Sequence, residues 1–71
     1  MIPHNEPTDL AGTDYRIALL ENALARQQEH IVRLQQEGLS TTVATTVLHA
    51  GESVLQSLRA YRKLLLLIPT R

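Results

Sequence analysis

The sequence predicts an all-α protein, an antiparallel two-helix hairpin that self-associates into a four-helix bundle. Three observations carry that expectation. Leu10, Ile17, Leu24 and Ile31 recur at seven-residue spacing, with Leu20 and Leu34 at the intermediate position, which is the a/d pattern of a helix seam. A second apolar run with helical spacing extends from Val43 to Ile68. Between them lies the only strong break, Glu37-Gly38-Leu39-Ser40-Thr41.

Residues 1–7 hold Pro3 and Pro7 and no periodicity, and read as a flexible tail. The first helix is expected over about 8–37. Thr8 before Asp9 suits an N-cap. Gly12 weakens the first turns by about 1 kcal/mol relative to alanine, so a start at Thr13-Asp14 is the alternative. Gln27 interrupts the a/d stripe at a core position. Its bland role is a polar residue that fixes register by bonding across the bundle; a cavity-lining role is the sharper alternative. Glu29 and Arg33 stand in the favourable order for an i,i+4 pair worth about 0.3–0.5 kcal/mol.

The turn is expected over 38–40. Gly38 suits the left-handed residue that closes a helix, because it has no Cβ to clash. With Gly38 at C′, Leu34 and Leu39 take the two positions that a Schellman motif joins. Ser40 is expected to cap the second helix, with Thr41 or Thr42 as alternatives. A loop this short forces the helices antiparallel.

The second helix is expected over about 41–68, ending before Pro69, with 69–71 as a tail. Thr41, Thr42, Thr45 and Thr46 are mediocre helix formers, so packing must hold its first turns. Two apolar stripes run along it. One is Val43, Val47, Ala50, Val54, Tyr61, Leu64 and Ile68. Ile31 set against Val47, Leu24 against Val54, Ile17 against Tyr61 and Leu10 against Ile68 keep a constant sum of residue numbers, so this stripe is expected to face helix 1. The other is Ala44, Leu48, Gly51, Leu55, Leu58 and Leu65. Together they make a face wider than one neighbour covers. The second stripe is therefore expected to be the oligomer interface, with a second copy of the chain as partner, giving a homodimer. The small residues Ala44 and Gly51 would let the chains approach closely; alternatively Gly51 is only a tolerated weak spot.

Composition bounds the rest. Seventy-one residues make one small domain, which is marginal alone. There is no cysteine to form a disulfide, and two tyrosines are the only aromatics. Seven basic and seven acidic residues balance, so no general attraction to nucleic acid or anionic membrane is expected. The start of the chain has no basic flank or apolar core of a secretory signal, and Leu64 to Ile68 is far short of the roughly 20 residues of a membrane helix. The expectation is a cytoplasmic protein. The acids Glu6, Asp9 and Asp14 should meet Arg59, Arg62, Lys63 and Arg71 where the ends of the hairpin come together.

No Ser/His/Asp set, glycine-rich phosphate loop or paired carboxylates occur, so no enzyme, catalytic residue or cofactor is expected. His30 and His49 fall at similar heights on the two helices, but zinc needs three or four convergent ligands, and both read as solvated flank residues. His4 lies in the tail. Arg59, Arg62 and Lys63 form a possible basic patch, which makes a small regulatory nucleic-acid-binding protein the alternative function; without interleaved aromatics it reads first as a solvated face. The leading function is a structural or protein-interaction module, and a hairpin that docks a different protein is the third possibility.

The residues Ala25-Arg26-Gln27, Glu29, Ile31, Arg33-Leu34, Gly38, Thr41, Ala44, Leu48, Glu52, Leu55, Arg62 and Leu65-Leu66 resemble a group of uncharacterised short helical-hairpin proteins common in alpha-proteobacteria. The resemblance covers about two-thirds of the chain. Their turn typically reads Gly-x-Asp-Thr. Here Ser40 stands in place of the Asp, and Val43 in place of a usual polar residue, which widens the apolar face. The resemblance implies a bacterial source and no known activity.

Overall fold

The computed structural model of the chain describes residues 6–68, with side chains from Asp9 onward. Within that range it is two packed α-helices, α1 (Glu6–Gln36) and α2 (Thr42–Leu67), extending over 56 × 22 × 17 Å. The helices begin and end within two residues of the expected bounds, inside the usual uncertainty of helix ends. Glu6 and Pro7, expected in the tail, belong to α1. A proline costs little in a first turn, where its missing N–H has no partner to lose. Gly12 is passed without interruption. The expected tails at residues 1–5 and 69–71 lie outside the described residues. No helix among the described residues is long and apolar enough to cross a membrane.

The turn is a Schellman motif. The Leu39 N–H donates to the Leu34 carbonyl at 2.9 Å and the Gly38 N–H to the Gln35 carbonyl at 3.1 Å. Gly38 takes φ +73°, and no other described residue has a positive φ. Two of the last carbonyls of α1 are thereby satisfied. Ser40 is not the cap of α2. Thr41 occupies that place without a side-chain cap bond, while the Ser40 hydroxyl accepts from the Thr42 N–H at 3.3 Å. Serine can close a short turn of its own in this way, in competition with capping. At the far end Ile68 is extended, with φ −77° and ψ 126°, the conformation imposed on a residue before proline.

The inner face of α1 is the expected one. Leu10, Ile17, Leu20, Leu24, Gln27, Ile31 and Leu34 are all partly buried along it. α2 presents the other stripe. Ala44 and Leu55 are its two buried residues, each 8% exposed, and Leu48, Gly51, Leu58 and Leu65 on the same face are partly buried. Val43, Val47, Ala50, Val54, Tyr61, Leu64 and Ile68, expected against α1, are exposed. The two stripes differ by one residue, which is about 100° of rotation about the axis of α2.

Two physical reasons favour the observed face. Gly51 lets the helices close: a Cβ there would lie 2.5 Å from Leu24 Cδ2, with Leu20 Cδ1 at 3.9 Å. The inner stripe also carries leucines where the outer one carries valines, so turning it inward removes more apolar area from water. Ala44, Leu48, Gly51, Leu55, Leu58 and Leu65 are therefore part of the hairpin's own interior.

Candidate protein-interaction surface

The two flanks of the hairpin differ in character. On one, Arg59 donates to Glu21 at 2.7 Å, and Arg62 pairs with Asp14. These are half-exposed pairs, worth about 0–1 kcal/mol each, and they bridge the helices on one side. Asp14 and Arg62 were both expected in the acid–base meeting of the hairpin ends. Glu21 was not singled out, although it falls on the same side of α1 as Asp14, seven residues on. Glu52, Arg59, Arg62 and Lys63 are the charged residues of α2. At 100° per residue, all of them lie more than 90° around the helix from the centre of the outer apolar stripe.

The other flank is apolar and bare. Val43 is 77% exposed, Val54 52% and Leu64 59%. Val47 and Tyr61 are also exposed, in line with Val54 along α2. The interior is correspondingly thin. Ala44 and Leu55 are the only buried apolar residues among those described, and no large side chain is fully enclosed. Thr13, an alternative helix start by its sequence, is the most buried polar residue among those described at 3%. It follows Leu10 and precedes Ile17 and Leu20 on the inner face of α1, so helical spacing alone was enough to place it there. No buried side-chain polar atom lacks a hydrogen-bond partner among the described residues.

Gln27 finds its partner inside the hairpin. Its amide donates to the Ala44 carbonyl at 3.1 Å. This ties the C-terminal third of α1 to the first turn of α2 within one chain. The bond reaches the same stripe that Gly51 opens to Leu24, so both observations set the same rotation of α2.

Other candidate sites do not assemble. His30 and His49 are exposed, and no group of three or more His, Cys, Asp or Glu among the described residues converges on a metal position. In the basic patch, Arg59 and Arg62 are each matched by a carboxylate, which reduces the charge available to a polyanion.

Comparison of the chain with protein-family models, with curated proteins and with solved structures finds no match in any of the three. The bare face of α2 is thus the feature that most needs a physical explanation, because monomers rarely leave so continuous an apolar strip in water.

Proposed function

We propose that the chain acts as a small structural or protein-interaction module, and that two copies associate through the outer face of α2 into an assembly of four helices. The supporting observation is the imbalance between its two faces. An interior with two nearly buried apolar residues accompanies an outer stripe of valines, Tyr61 and Leu64 left largely in water. Fully burying a Val or Leu side chain contributes about 1.5–3 kcal/mol. Covering half-exposed residues of this kind on both chains therefore adds several kcal/mol, comparable to the stability of a small domain. The reading is non-catalytic. A bacterial source belongs to the same proposal and rests on the resemblance to short alpha-proteobacterial hairpin proteins; a cytoplasmic setting is the accompanying expectation.

The test is the solution mass, by light scattering behind a sizing column over a concentration series. The expected result is a dimer with twice the chain mass of 7.9 kDa, dissociating on dilution. A folded monomer at every concentration would overturn self-association and make the bare stripe a seat for a different protein.

A further inference from the structure

We infer that the two copies dock α2 against α2 in antiparallel orientation, about a two-fold axis passing between positions 54 and 57. This rests on the self-association proposed above and adds its geometry.

The outer stripe steps by four and three residues in turn, through Val47, Ala50, Val54, Ser57, Tyr61 and Leu64. That is a mean period of 3.5, the spacing that keeps one seam facing a partner helix along its length. A two-fold interface must be complementary to itself. Laid antiparallel, this stripe is: Val47 meets Leu64, Ala50 meets Tyr61 and Val54 meets Ser57, and symmetry repeats each layer once. The bulkiest side chain faces one of the smallest, so Tyr61 fills the space that Ala50 leaves, as close packing requires. The Tyr61 hydroxyl extends past the alanine toward water, which suits an aromatic ring with a polar end. The Ser57 hydroxyl can accept cover from its own helix by donating to the carbonyl four residues before it. A parallel, level pairing instead sets Tyr61 on Tyr61 and Ala50 on Ala50, alternating crowding with voids.

Charge agrees with this arrangement. Glu52, Arg59, Arg62 and Lys63 all lie away from the stripe, so no like charges meet across the axis. The stripe is bordered on its outer side by Thr46, Ser53 and Ala60, which are small enough for close approach of two helices.

The chain has no cysteine, so single cysteines can be spin-labelled without ambiguity. In the antiparallel dimer, equivalent positions separate along the axis by about 3 Å for each residue of distance from the centre, twice the helical rise. Labels at Ser53→Cys should be close, about 8 Å apart axially, and labels at Thr46→Cys about 28 Å apart. The Val54→Glu variant places two carboxylates beside the axis and should weaken dimerisation on the order of a hundredfold or more, with helicity by circular dichroism unchanged because Val54 is half-exposed in the single hairpin. Equal short separations at both labelled positions would overturn the antiparallel geometry while leaving self-association intact. A Val54→Glu dimer as tight as the parent would overturn the choice of face. A monomeric parent chain would overturn the self-association on which the geometry rests.

Discussion

Gly51 provides the most direct test of which face of α2 points inward. Replacing it with alanine has two opposed effects. A glycine in a helix interior costs roughly 0.5–1 kcal/mol relative to alanine, so the substitution gains about that much from the backbone. The new Cβ, however, would stand 2.5 Å from Leu24 Cδ2, and the leucine must swing aside, leaving its preferred rotamer or its packing at a cost of about 1 kcal/mol. Gly51→Ala should therefore fall within about 0.5 kcal/mol of the parent. In a Leu24→Ala background the obstacle is gone, and the same substitution should stabilise by about 1 kcal/mol. Gly12→Ala is the control. It lies within α1 with nothing within 4 Å of its virtual Cβ, and should gain 0.5–1 kcal/mol in either background. Urea unfolding at one fixed protein concentration reads these differences, since with a slope of about 1 kcal/mol/M each kcal/mol moves the midpoint by about 1 M. The inward placement of Gly51 is refuted if Gly51→Ala gains as much as Gly12→Ala in the parent chain and shows no coupling to Leu24. Gly51 would then not be where the helices touch.

The other predictions concern the turn and the bridged flank. Gly38→Ala should cost about 1 kcal/mol in the same unfolding assay, because a side chain at φ +73° is strained whatever space surrounds it. Thr41→Asp should stabilise by about 0.5–1 kcal/mol, since the present cap makes no side-chain bond and the first turn of α2 carries no acid; an unchanged urea midpoint would count against that account of the helix start. A double-mutant cycle on Arg59 and Glu21 should return no more than about 1 kcal/mol. That coupling should shrink as salt is raised from low to molar concentration, as expected for an exposed pair.

The helices and their junction were legible because each rests on local chemistry. The seven-residue repeat of Leu10, Ile17, Leu24 and Ile31 defines the inner face of α1. Gly38, flanked by Leu34 and Leu39, defines its end down to the individual hydrogen bonds. Which face of α2 turns inward was not legible from periodicity, because two apolar stripes run one residue apart and both keep a helical repeat. A constant sum of residue numbers tests register along two axes and says nothing of rotation about them. The deciding signals were present but of another kind. Ala44 and Gly51 are the small residues of α2 that sit within a leucine stripe, and Gln27 needed a carbonyl within reach. Both belong to the face that is buried. The choice of Thr41 over Ser40 as the cap was not legible, because both residue types suit that position and the Ser40 hydroxyl instead accepts from the Thr42 N–H in a short turn of its own.

The closed turn at Gly38 also bears on how the chain reaches this form. Contacts near the turn join residues close in sequence, such as Gln27 and Ala44, 17 apart, whereas the far ion pair of Asp14 and Arg62 spans 48. Closing the longer loop first costs about 0.9 kcal/mol more entropy, from the logarithmic dependence on loop length. The favoured sequence of events therefore runs outward from the turn, each new layer shortening the loop left for the next. Strain introduced at Gly38 would fall on the earliest step, so it should slow folding more than it speeds unfolding.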